Sequence, residues 1–186
     1  MEKLPVQVTK SDIEKAINNK DDFVKLDYLN RYLNQVDNFD LKKFILLNLA
    51  TIHESKNMLQ AAIRNITSAA DIAISYKEKI ELYTRIIELY IKMRNFPMAE
   101  NALKQAMYFA PEVARLRLKE SYVNIFWCVA KDFESKDKLR QAIEVYEYML
   151  SINMPDEQRE ELKLKLLDYY DKRGMTREYN KLKSAR

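Results

Sequence analysis

The side chains that usually carry enzyme chemistry are nearly absent from this chain. His53 is the only histidine, Cys128 the only cysteine and Gly174 the only glycine. A protein zinc site needs several thiolate or imidazole ligands, and here there is one of each, far apart in sequence. A Ser-His-Asp or Cys-His nucleophile would have to recruit His53, which has no local signature beside it. One glycine cannot build a Gly-rich phosphate loop or a dinucleotide fingerprint. Carboxylates are plentiful, but spread over helix faces they act as solvated charge. The residues therefore predict no catalytic site, no metal and no cofactor. His53 reads as a core or boundary imidazole. Cys128, inside the apolar run Ile125–Ala130, reads as a small buried hydrophobe.

Composition points to a folded, all-helical chain. Of 186 residues, 47% are apolar and 32% charged. That is enough apolar surface for a core and too much for a disordered chain. One glycine and four prolines are too few for sheets joined by tight turns, so the fold class is all-α. The net charge of +4 is spread along the chain and forms no basic stripe or tail of the kind nucleic-acid binders show. Met1 to Pro5 lacks the apolar core of a signal peptide, and the longest apolar run is too short to span a bilayer. With a lone cysteine these features lead to an expectation of a cytoplasmic protein.

Helix signals can be followed from end to end. A loose lead covers residues 1–10. Ser11 and Glu14 have capping-box spacing and start a short helix to about Asn19. Asp21 or Asp22 caps the next helix. Further helices are expected over 41–55, 57–75, 77–94, 97–110, 112–135, 138–152, 156–173 and 175–184. Pro97 suits a helix start, Pro111 suits a helix end, and Gly174 suits a left-handed cap. The result is ten helices in about five antiparallel pairs. Ala62, Ala99 and Ala142 lie 37 and 43 residues apart, each followed at helical spacing by a larger residue and then by Ala69, Ala106 or Met149. Such a period marks stacked helix pairs, each burying its apolar face against its neighbours.

The pattern resembles the tetratricopeptide repeat (TPR). A unit starting at Ile80 puts Tyr83, Ile86, Tyr90, Phe96, Ala99, Leu103, Ala106 and Pro111 on the family's positions 4, 7, 11, 17, 20, 24, 27 and 32. Ile87 departs from the small residue preferred at position 8. A unit from Lys43 places Leu46, Leu49, Ala50, Leu59, Ala62, Ile66 and Ala69 on 4, 7, 8, 17, 20, 24 and 27. One from Val123 places Phe126, Val129, Ala130, Phe133, Leu139, Ala142 and Tyr146 on 4, 7, 8, 11, 17, 20 and 24. The resemblance implies a right-handed α-α superhelix. Residues 1–40 would form a lead and a degenerate pair, and 41–186 one continuous TPR-like domain.

In that family the first helix of each pair lines a concave groove through positions 2, 5, 9 and 12. Carried over, these become Phe44, Leu47, Thr51 and Glu54; Glu81, Thr84, Glu88 and Ile91; Asn124, Trp127, Lys131 and Glu134; and Glu161, Leu164, Asp168 and Asp171. Seven acids face one base. The expected partner-binding residues are Glu54, Thr84, Glu88, Ile91, Asn124, Trp127, Lys131, Glu134, Asp168 and Asp171. The expected function is that of a noncatalytic adaptor or scaffold whose acidic groove takes a basic or amphipathic peptide or helix. The family's clamp for chaperone tails is not reproduced, since Leu47, Thr51, Arg85, Asn124 and Trp127 stand in its places. The alternative function is nucleic-acid binding along a basic edge at Arg115, Arg117 and Lys119. A small ligand or a second copy of the chain, giving a homodimer, is the third reading of the groove.

Overall fold

The computed structural model describes residues 8–184, so residues 1–7 of the expected lead lie outside the described residues. The described residues form ten α-helices and no strand. They are α1 (Lys10–Ile17), α2 (Asp22–Gln35), α3 (Phe39–Ser55), α4 (Leu59–Ile72), α5 (Tyr76–Lys92), α6 (Phe96–Phe109), α7 (Glu112–Ser135), α8 (Leu139–Met149), α9 (Asp156–Lys172) and α10 (Thr176–Ser184). Each packs on the next, as a row of antiparallel hairpins requires. The expected all-α class, with five helix pairs in file, is what the chain adopts.

Local chemistry sets the helix ends. The capping box at the first helix is Thr9 with Asp12, not Ser11 with Glu14. The Thr9 hydroxyl accepts from the Asp12 N–H, and the Asp12 carboxylate accepts from the Thr9 N–H at 2.9 Å. Thr9 wins because a box works only from the residue that stays non-helical, and Ser11 is already inside the helix. Asp21 caps α2 through the N–H groups of Phe23 and Val24. Asn38 and Asn95 cap α3 and α6. Pro97 sits in the first turn of α6, where its missing N–H costs no bond. Pro111 follows α6 and also opens α7.

Four hairpins are closed by the same turn. Asn57, Arg94, Asp137 and Gly174 all have positive φ, between 55° and 66°. After each, an N–H reaches back five residues: Met58 to the carbonyl of His53, Asn95 to Tyr90, Lys138 to Phe133 and Met175 to Tyr170, at 2.8 to 2.9 Å. The turn residue itself donates to Glu54, Ile91, Glu134 or Asp171. This is the Schellman arrangement, which satisfies orphan carbonyls at the helix end.

Ala62, Ala99 and Ala142 are fully buried in one continuous core running from α3 to α9. Ile66, Ala69, Ala106, Tyr146 and Met149, which follow them at helical spacing, are equally buried. A methyl at these points lets two helix backbones close up, and the larger neighbours fill the space between. A second cluster, Ile13, Leu29, Tyr32, Val36, Ile45 and Leu49, joins α1 and α2 to α3, with Leu33 packed against both cores.

The turn geometry is testable. A Cβ at Gly174 would meet nothing within 4 Å, so any cost of Gly174→Ala comes from its left-handed backbone. That cost is about 1–2 kcal/mol. Amide hydrogen exchange at Met175, whose N–H closes the turn, should accelerate about tenfold, with little change at Met58 or Asn95.

Candidate functional site

The first helices of the hairpins, α3, α5, α7 and α9, lie side by side and are tied across their shared face. Arg85 on α5 donates from Nε to the Glu54 carboxylate on α3 at 2.7 Å, and from a terminal nitrogen to the Thr51 hydroxyl at 3.1 Å. Lys43 on α3 meets Glu78 on α5 at 3.0 Å. Lys165 on α9 pairs with Glu134 on α7 at 3.0 Å. Glu54 with Arg85 and Glu134 with Lys165 have the same 31-residue separation. They are one contact repeated at two junctions.

At the middle junction the equivalent residues are Ile91 and Cys128, which cannot form an ion pair. Ile91 is fully buried in the main core, and α5 packs directly on α7. The expectation that Ile91 faces a partner is therefore corrected: the apolar side chain is taken up by the core and has no exposed surface. Cys128 is exposed rather than buried. The reason is helical geometry, since a six-residue apolar run wraps the whole helix and cannot be buried on every side. Phe126, Val129 and Ala130 turn inward, while Cys128 occupies the outward position held elsewhere by Arg85 and Lys165.

Around Trp127 the face becomes aromatic. Trp127 is half-buried, with its ring centroid 5.3 Å from that of Tyr146. Lys131 Nζ stands 5.9 Å from the Trp127 ring, and Lys165 lies over Tyr146 and Tyr169. Beneath them Glu134 accepts hydrogen bonds from the hydroxyls of Tyr146 at 2.7 Å and Tyr169 at 2.5 Å. Burial alone would raise the Glu134 pKa. The bonds from Tyr169, Tyr146 and Lys165 outweigh that and hold it below the usual carboxylate value. Burial and the Glu134 charge push both tyrosine hydroxyls well above their ordinary range, so they remain donors. The sequence placed Tyr146 only as a packing residue and Arg85 only as a departure from the chaperone clamp, and neither they nor Tyr169 and Lys165 were expected in the site. The signal that could have found the two cations is the repeated 31-residue spacing from a glutamate.

The other expected site residues divide into two groups. Glu54, Glu88, Glu134 and Asp168 already hold cations: Arg85, Lys92, Lys165 and Lys172. Among the described residues Glu81, Glu161 and Asp171 have no ion pair and are exposed, as is Asn124. Thr84 is half-buried and spends its hydroxyl on the Ile80 carbonyl at 2.8 Å. The face is thus less acidic than its carboxylates alone suggest. Leu164 on α9, 68% exposed, is the repeat equivalent of Trp127 on α7. His53 is a boundary residue bonded through Nδ1 to the Asn65 amide at 3.0 Å. Its pKa is lowered by burial and then by the nearby Arg64 charge.

No protein-family model matches the chain, and no curated protein matches it. Among solved structures, a crystal structure of MamA is 16% identical, with 95% of this chain and 92% of that chain covered and a TM-score of 0.44. A crystal structure of BtubC from P. vanneervenii is 13% identical, with 92% and 74% covered and a TM-score of 0.43. No helix among the described residues is long and apolar enough to cross a membrane.

Glu134 gives a pH prediction with a definite sign. Its folded pKa is depressed, so its contribution to stability is complete above the unfolded value and fades as pH falls from about 4.5 through the folded one. Glu134→Gln should cost about 1.5–3 kcal/mol at neutral pH, the range for hydrogen bonds to a charged group. It should also flatten the acid limb of a plot of thermal midpoint against pH.

Proposed function

We propose that this chain is a noncatalytic protein-interaction scaffold, with the first-helix face of α7 and α9 as its docking surface. The supporting observation is the pair Trp127 and Leu164, equivalent apolar side chains left accessible on adjacent helices and joined underneath by Glu134 and Lys165. Large apolar groups at the centre of a face, with charge around them, are the usual energetic anchors of a protein interface. The unpaired carboxylates Glu161 and Asp171 lie on the same helix as Leu164. An amphipathic helix with basic flanks complements that arrangement. The Glu134 network supplies rigidity: a carboxylate held by two tyrosines and a lysine fixes the ring surfaces beside Trp127, so little ordering cost remains on binding.

Nucleic-acid binding is the second reading, favoured only by the exposed Arg117 and Lys119 on α7. It predicts steep salt dependence and indifference to changes at Trp127.

The test compares variants after nuclease treatment. Trp127→Ala combined with Leu164→Lys should reduce recovery of bound protein in affinity capture by at least tenfold, with helical circular dichroism unchanged. Charge reversal at Glu161 and Asp171 should weaken capture more than reversal at Glu88 and Asp168, which are already paired. Equal recovery by wild type and the double variant would overturn the reading.

A further inference from the structure

The two edges of the row differ in chemistry. At one edge lie the left-handed turns, tipped by the exposed cations Lys56, Arg94, Lys136 and Arg173. At the other edge the connections between hairpins carry bare apolar side chains. Ile74, between α4 and α5, is 88% exposed, and Val113, just past the α6–α7 connection, is 87% exposed. They are the two most exposed large apolar side chains among the described residues. Tyr76 and Tyr108 beside them are also open.

These residues belong to one surface. The rings of Tyr76 and Phe109 lie 5.9 Å apart, and Tyr108 stands edge-on to Phe109 at 5.1 Å. Ile74 is two residues from Tyr76, and Val113 is four from Phe109. At most about 7 Å and 14 Å of chain therefore separate the aliphatic tips from this aromatic group. α7 also overshoots its neighbours, with 24 residues against 17 in each of α3, α5 and α9. Over Glu112–Glu120 only Ala114 and Leu118 are half-buried, and every other residue is exposed. Helices in proteins draw most of their stability from packing an apolar face, yet here Val113 and Leu116 face water.

The edge is net positive. Residues 71–79 and 108–120 hold Lys77, Lys79, Arg115, Arg117 and Lys119 against Asp71, Glu78, Glu112 and Glu120. Lys43 of α3 closes on Glu78 at 3.0 Å, so six cations meet four carboxylates.

The aliphatic tips select the occupant. A folded partner must offer a pocket for each protruding side chain, whereas fluid acyl chains admit isolated tips without one. Nucleic acid would use the cations and the tyrosine rings but would leave Ile74 and Val113 in water. Tyrosine suits the headgroup level, where its ring is covered and its hydroxyl stays wet. Lysine and arginine near the surface are drawn to anionic headgroups.

We propose that the edge formed by the α4–α5 and α6–α7 connections docks on an anionic lipid surface. Ile74, Val113 and Leu116 enter the acyl boundary, Tyr76 and Tyr108 stay at headgroup level, and the surrounding cations meet the lipid charges. Trp127 lies about 21 Å further along α7, so this edge is separate from the docking face proposed above.

The probe is vesicles of phosphatidylcholine and phosphatidylserine, about two to one, mixed with the full chain and separated by flotation. The chain should float with them, and at least fivefold less should float with phosphatidylcholine alone. Ile74→Ser combined with Val113→Ser keeps every charge; it should lower partitioning at least tenfold with helical circular dichroism unchanged. Arg117→Glu combined with Lys119→Glu should lower it to a similar extent. Trp127→Ala should float as wild type does, so failure of the docking face and failure of this edge can be told apart. In a Trp127→Phe background, Ile74→Trp should be quenched by lipids brominated on their acyl chains. No flotation, undiminished flotation of the serine variant, equal partitioning onto neutral vesicles or absence of quenching would each overturn the proposal. So would a concentration-dependent dimer that the serine variant dissolves, since the edge would then be a contact between copies.

Discussion

The close approach of helix backbones at the buried alanines governs everything else in this chain. Ala62, Ala99 and Ala142 are fully buried, with no exposed surface. A larger side chain would push apart a first helix and a second helix, and that displacement would pass along the row, since each hairpin rests on the one before. The side-by-side setting of the first helices, and with it the Trp127 face, follows from this spacing. The left-handed turns serve the same end. They reverse the chain within a few residues and bind two carbonyls of the helix's last turn, so the second helix returns at close range.

The junctions between first helices are not equivalent. The two outer ones are bridged by long charged side chains, Arg85 with Glu54 and Lys165 with Glu134. At the middle one α5 packs directly on α7, and the equivalent residue Ile91 is buried in the core. This substitution removes one accessible position and one charge pair from the face. The exposed apolar and aromatic groups are left on the α7–α9 side, and ion pairs dominate the α3–α5 side. The apparent acidity of the sequence is largely internal: most carboxylates on this face are matched by cations from the next turn or the next helix.

Helix number and order were legible in the sequence because three signals agreed: apolar period, capping residues and the scarcity of glycine. Boundaries differ by a few residues where caps compete, as at Thr9 and Ser11. The left-handed turns at Arg94 and Asp137 could not be read, because neither residue type announces positive φ and the conformation is imposed by the helices on either side. Trp127 and Glu134 were legible as face residues from their register. What they touch was not, because Tyr169 and Lys165 lie more than thirty residues further on and meet Glu134 only through packing between hairpins. Ile91 and Cys128 were misread for opposite reasons: one was placed by register without regard to its hydrophobicity, the other by hydrophobicity without regard to register.

The alternation of charged and apolar junctions bears on the elasticity of the row. Partly exposed ion pairs weaken as ionic strength rises, whereas an apolar seam does not. The α3–α5 joint, tied by Arg85 with Glu54 and Lys43 with Glu78, can therefore loosen as the ionic medium strengthens, while the neutral Tyr169 bond to Glu134 keeps the α7–α9 joint stiff, so the curvature offered to a long ligand responds to solution conditions mainly at one end.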